Sequence, residues 1–114
     1  MYSDLIVYQK SKKLTTSVYL LTNSFPKSEV HGLSSQIRRA VVSIPLNISE
    51  GSARNTNKQF NNFLNIAIGS TTEVKVCLEI SLDLKYITQE EFNKIFPQVE
   101  EVSKMLYSLN RSID

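Results

Sequence analysis

Arg38 and Arg39 stand side by side in the chain, and Arg54 and Lys58 follow within twenty residues. Guanidinium groups bind phosphate oxygens in bidentate fashion and ammonium groups bind them as point charges. The chemistry these four side chains suggest is therefore contact with a nucleic-acid backbone. Lys10, Lys12 and Lys13 form a secondary basic cluster. Ordinary solvated surface charges would use the same residue types, and both readings stand. No aromatic side chain is clearly interleaved with these bases along the sequence, so stacking of single-stranded bases is not indicated.

Catalytic chemistry has little footing. His31 is the only histidine and has no second imidazole with which to share a metal. Cys77 lies among apolar neighbours, where a thiol serves as a small inert hydrophobe. Glu50 and Glu73 can be drawn as a carboxylate pair. Di-iron bundles, however, need Glu-x-x-His motifs on facing helices, and the chain has none. It also lacks a phosphate-binding glycine loop, a dinucleotide-binding glycine pattern and a Ser-His-Asp set. The expectation is a protein that is not an enzyme and holds no cofactor or metal.

Helices must carry these residues. With three Gly and three Pro in 114 residues, the elements are few and long, which argues against a sandwich or barrel. The first apolar pattern places Val7, Leu14, Val18 and Leu21 on one face and stops near Phe25-Pro26. Ser28 is a candidate cap for the second helix, whose stripe runs through Val30, Leu33, Ile37, Ala40, Val41, Ile44 and Ile48 to Gly51. A third pattern, from about Thr56 to Lys85, aligns Phe60, Phe63, Leu64, Ala67, Thr71, Val74, Leu78 and Leu82. It also has a second, semi-apolar face of Ile66, Ser70, Cys77, Ile80 and Leu84, with Glu73 at its edge, and Gly69 in mid-helix suggests close packing. Thr88 followed by Glu90-Glu91 caps a fourth helix, in which Pro97 permits a kink or a later start. The predicted fold is all-α: an antiparallel up-down-up-down four-helix bundle in a single domain, residues 1–114, with helix 2 kinked near Pro45. Ser43 or Asn47 is expected to satisfy the Val41 carbonyl that Pro45 leaves without a donor.

On a helical wheel Gln36, Arg39, Ser43, Asn47 and Glu50 fall within roughly 80° of one another, on the flank of the apolar stripe. Ser43 and Asn47 suit a closely approached seam with a neighbouring helix or subunit, and Arg39 and Glu50 each suit charge-assisted bonds across it. A solvated polar face is the other reading. Two apolar faces on the third helix exceed what a small bundle needs for its own core, which points to more than a monomer.

Net charge is +2, but it is divided unevenly. Residues 1–58 carry eight Lys/Arg against three Asp/Glu, and residues 59–114 carry five against eight. The halves are therefore +5 and −3, which permits an anionic partner for the first or complementarity between subunits. No apolar run reaches the roughly 18 residues of a membrane span, so no membrane partner is expected. The first residues lack a signal pattern, and the lone cysteine fits a reducing cytoplasm.

The run SQIRRAVVSIPLNISEG, followed by Phe60–Leu64 and IAIGSTTEV (Ile66–Val74), resembles the small four-helix-bundle family often labelled 23S rRNA intervening-sequence proteins. LTNSFPKSEVHGL upstream and LKYI downstream extend the similarity over nearly the whole chain. The resemblance implies a ring-like homopentamer. It also implies kinship with the accessory protein of diversity-generating retroelements, a basic pentamer that binds nucleic acid and a reverse transcriptase. An RNA or ribonucleoprotein partner is an expectation from that kinship. This chain departs from those accessory proteins in its modest charge, so any RNA binding should be weak and salt-sensitive. The alternative is a protein–protein scaffold without a nucleic-acid role, in which the second face of helix 3 and the Gln36–Glu50 stripe matter more than the arginines.

Overall fold

A computed structural model describes Tyr2 and residues 5–113. Four helices dominate the described residues: α1 (Ile6–Thr22), α2 (Leu33–Ser52), α3 (Asn57–Asp83) and α4 (Gln89–Ser112), with a 3-10 turn at Lys27–Glu29. Each helix packs on its neighbours in sequence, and α1 closes the set against α4. Hydrogen-bonded pairs run in opposite order along the α1–α2 contact, Thr15 meeting Val41 while Thr22 meets Arg38. Ser43 with Ser70 joins α2 to α3, and Asn110 with Asn65 joins α4 to α3. The short connections make adjacent helices antiparallel around one core. No helix of the described residues is long and apolar enough to cross a membrane.

The core is built where the apolar periodicities coincide. Leu14, Val18, Ile37, Val41, Ile44, Ile48, Leu64, Val74, Leu78 and Leu106 have no more than 1% of their surface exposed. Burying an aliphatic side chain of this size contributes about 1.5–3 kcal/mol, and this term holds the bundle together. The stripe of α2 begins at Leu33 and not earlier. Val30 precedes the helix and is 61% exposed, a correction to its predicted place on the apolar face.

The caps divide into expected and unexpected. Thr88 forms a full capping box with Glu91 at the start of α4, which continues through Pro97. Thr56 caps α3 by accepting from the Gln59 amide. Ser28, however, does not cap α2; it belongs to the 3-10 turn, and Gly32 is the N-cap residue. Glu29 does the capping from one turn upstream. Its Oε1 accepts from the Leu33 amide at 2.9 Å and its Oε2 from the Tyr86 hydroxyl at 2.8 Å. One carboxylate thereby fastens the α1–α2 connection to the α3–α4 turn. A Cβ on residue 32 would lie 2.6 Å from that Oε1, so glycine makes room for the clasp. On the other side Lys85, at φ 61°, turns the chain so that Tyr86 presents its hydroxyl.

These two bonds hold the Glu29 carboxyl below its ordinary range, the Leu33 amide contributing most and Tyr86 next. They raise the Tyr86 phenol, chiefly through its hydrogen bond to Glu29. A carboxyl whose folded pKa is depressed stabilises the fold fully above its unfolded value and loses that contribution as pH falls through the folded one. The stability advantage of the parent over Glu29→Gln should therefore be level down to about pH 4.3 and shrink below it. Thermal melts of both proteins from pH 6 to pH 3 measure this, and a gap that widens on acidification would contradict the clasp.

α2 runs unbroken through Pro45. The donor toward the Val41 carbonyl comes from a neighbouring helix and not from Ser43 or Asn47. Thr15 Oγ1 on α1 lies 3.3 Å from that oxygen while also donating to Ser11 at 2.8 Å, so a single proton is shared. Asn47 instead donates to Ser43, at its carbonyl and its hydroxyl. Helical spacing points only to donors local to the proline, whereas the antiparallel contact brings in a hydroxyl 26 positions away.

Candidate functional site

The basic residues do not gather into one patch. Arg38 and Arg54 are sixteen positions apart, near opposite ends of α2, about 24 Å at 1.5 Å per residue. Arg38 turns back onto α1. Its Nε donates to Thr22 Oγ1 at 2.8 Å, and its Nη2 donates to Asn23 Oδ1 at 3.0 Å and the Tyr19 carbonyl at 3.3 Å. The guanidinium also lies over the Tyr19 ring, 4.7 Å from its centre. Arg38 thus satisfies groups at the α1 C-terminus, where a cation also complements the helix dipole. Replacing it by Ala should cost about 1–2 kcal/mol, because buried Thr22 loses its strongest partner. Urea melts test this directly, and unchanged stability would show that the bonds contribute nothing in solution.

Arg54 pairs with Glu50 at 2.7 Å and stacks over Phe63. Glu50, expected to bond across the seam, is thus engaged from its own end of the helix, one turn away from Arg54. Lys10 bonds Glu101 across α1 and α4 at 3.0 Å, and Lys12 sits over the Tyr8 ring. Three of the bases therefore meet aromatic rings after all, a correction to the expectation from the linear sequence. Rings from other turns and other helices supply what nearest neighbours do not. Arg39, Lys13 and Lys58 are exposed and make no ion pair among the described residues.

The polar flank of α2 divides in two. Ser43 faces α3, where the Ser70 hydroxyl donates to its Oγ at 2.9 Å and Asn47 donates to the same oxygen. These three form an internal α2–α3 seam with both helices close together. Gln36 and Arg39, with Glu73 from α3, instead line an open groove of about 530 Å³ beside that seam. Two opposite charges edge it, neither of them in an ion pair among the described residues.

The second face of α3 splits likewise. Ser70 and Cys77 are buried within the protomer. Ile66, Ile80 and Leu84 stay 42–53% exposed, and Val76, which sequence reasoning missed, joins them at 47%. Tyr19 and Leu46 are a second missed pair, exposed beside Arg38 and Arg39. A wheel locates the angle of each residue on its own helix but not how far the neighbouring helices reach around it. Gly69, in the middle of the α3 stripe, has no atom within 4 Å of where its Cβ would be. The expected close packing of Gly69 does not occur inside the protomer.

Burial pushes the Cys77 thiol up, and nearby Glu73 pushes it further the same way. His31 is exposed, and among the described residues no three of His, Cys, Asp and Glu come together as metal ligands would.

Most of the chain has relatives. The family model described as 23S rRNA-intervening sequence protein matches residues 3–108. Among solved structures, a protein of unknown function from the S23 ribosomal protein family of Bacteroides thetaiotaomicron VPI-5482 is similar, with a TM-score of 0.83 and 29% identity. The match covers 92% of this chain and 98% of that one. No curated protein matches the chain.

Proposed function

The chain belongs to the 23S rRNA-intervening sequence protein family, and from that premise we propose that it works without catalysis, as a self-assembling helical bundle. The observation that carries this reading is the outer stripe of α3. Four large apolar side chains remain exposed there, although the opposite face of the same helix already fills the core. Such a face on a soluble protein marks a contact with another macromolecule. Resemblance to the family implies five copies. Light scattering across micromolar concentrations tests the proposal: a mass of several copies supports it, and a monomer throughout refutes it.

Contact with structured RNA is a second reading, favoured by Arg39, Lys12, Lys13 and Lys58, exposed cations without a carboxylate partner among the described residues. Retention of a folded rRNA fragment should fall steeply with added salt. Converting Lys12, Lys13 and Lys58 to Ala should reduce the slope of log K against log salt by about one for each phosphate no longer neutralised. An unaltered slope removes these lysines from the reading. Arg38→Ala is unsuited to this test because it also loosens α1 from α2.

A further inference from the structure

We propose that the groove between α2 and α3 binds a small zwitterion, an α-amino acid with a primary amide side chain, its carboxylate on Arg39 and its ammonium on Glu73. Every residue of the site belongs to one protomer, so the inference does not rest on self-assembly.

The groove exists because its floor is made of small side chains. Ala40, Ser43 and Ser70 line it where the Ser70–Ser43 hydrogen bond holds α2 and α3 together. Longer residues form its walls: Ser35, Gln36 and Arg39 from α2, and Glu73 from α3. The space of about 530 Å³ falls within the usual range for small-molecule sites, about 300–1,000 Å³. Ala40 is its one apolar side chain among the described residues, so a hydrocarbon ligand gains little there and a polar one is favoured.

The wall residues differ from their counterparts elsewhere in what they bond. Arg38 is committed to Thr22 and Asn23, Arg54 to Glu50, Lys10 to Glu101, and Glu29 to Leu33 and Tyr86. The hydroxyls of Thr15, Ser49 and Ser52 donate to carbonyls one turn back in their own helices. Ser35, Gln36, Arg39 and Glu73, by contrast, make no side-chain hydrogen bond or ion pair to any described residue. Four polar side chains with their bonding capacity unspent thus converge on one cavity.

Their signs decide the ligand. The Arg39 guanidinium binds a carboxylate in bidentate fashion, and the Glu73 carboxylate accepts from an ammonium. Packed helices lie about 8–10 Å apart, so one small molecule spans side chains that flank a seam from both sides. An α-amino acid carries its two charged groups on a single carbon and is neutral overall, as the Arg39–Glu73 pair is. Phosphate would meet Arg39 but be repelled by Glu73, and a simple amine would meet the reverse. The Gln36 amide and the Ser35 hydroxyl both donate and accept, which complements a primary amide on the ligand.

Saturation-transfer NMR on the full chain, with L-glutamine as the probe, tests the site. A saturable signal of about millimolar affinity is expected, as suits a groove open to solvent. Arg39→Gln and Glu73→Gln should each weaken binding tenfold or more. Arg54→Gln, at a residue occupied by Glu50 beyond the far end of α2, should leave it unchanged. All three positions are exposed, so thermal melts should show the variants folded. Glutaramate, which is glutamine without its ammonium, and glutaminamide, which lacks the carboxylate, should bind at least tenfold more weakly. Absence of a saturable signal overturns the proposal. Binding that survives both Arg39→Gln and Glu73→Gln places glutamine elsewhere and overturns the site. Glutaramate binding as tightly as glutamine overturns the zwitterion and leaves a simple anion contact at Arg39.

Discussion

Gly51→Val should destabilise the fold by about 3 kcal/mol, a fall of roughly 12 °C in Tm. The last turn of α2 rests on the first turns of α3. A Cβ at residue 51 would come 2.8 Å from both the Phe60 ring and Phe63 Cβ, and 3.2 Å from the Phe60 carbonyl oxygen. The ring can swing aside. Phe63 Cβ and the carbonyl are fixed to the backbone, so the two helices must separate, and the branched valine adds two more atoms to the same gap. Removing glycine from a helix gains about 1 kcal/mol in propensity, which overpacking of this kind exceeds. Gly69→Ala is the internal control, since its new methyl meets nothing in the protomer and should raise the stability of the unassembled chain by about 0.5–1 kcal/mol. Urea melts of both variants, below the concentration at which copies associate, measure the contrast. Equal effects at the two glycines would show that the α2–α3 approach is looser than described.

Leu78→Ala should cost about 2–5 kcal/mol, by the usual range for leucine truncation, and Ile80→Ala well under about 1 kcal/mol in the protomer. Both residues are on α3, two positions apart. Leu78 is fully buried, so truncation removes its transfer energy and leaves a cavity that the surrounding helices fill only in part. Ile80 is 42% exposed, and its outer surface already faces solvent. Thermal melts of the dilute proteins separate the two cases. If Ile80→Ala proved as costly as Leu78→Ala, the outer stripe would belong to the protomer's own core, and the case for self-assembly would lose its support.

The two pairs show where sequence reading reaches and where it stops. The central positions of each core face, such as Ile44 and Leu78, are legible because helical periodicity places them in line with several other apolar residues. Thr88 is equally legible, since an N-cap bonds to an amide three residues away. Ser28 is not the cap because a carboxylate one turn before α2 reaches its first amide and also finds Tyr86, 57 residues distant. Gly51 stands one residue from the end of α2, where the sequence places that end, but packing is what requires a glycine there. No glycine here has a positive φ, so Gly51 is not a left-handed helix terminator but a point of close helix–helix approach.

Among the candidate site residues the same distinction holds. The types and order of Arg38, Arg39, Arg54 and Lys58 are visible in the chain, but their commitments are not. Arg38 is bound to α1 by Thr22 and to Asn23 just beyond it, and Arg54 is occupied by Glu50 and Phe63. Arg39 remains in a groove with no ion pair among the described residues. Identical side chains, two of them adjacent in sequence, thereby acquire different roles.

By itself, the sequence determined four amphipathic helices, their order, the centre of the core and the family, because each depends on local periodicity or on residue identity. Only the tertiary structure decided which cations are free, which serine hydroxyls meet, and which half of the second face of α3 is left in solvent. Those outcomes depend on how far each helix is rotated and how closely its neighbours approach. That balance of packing is set by all four helices together, and no single stretch of the chain encodes it.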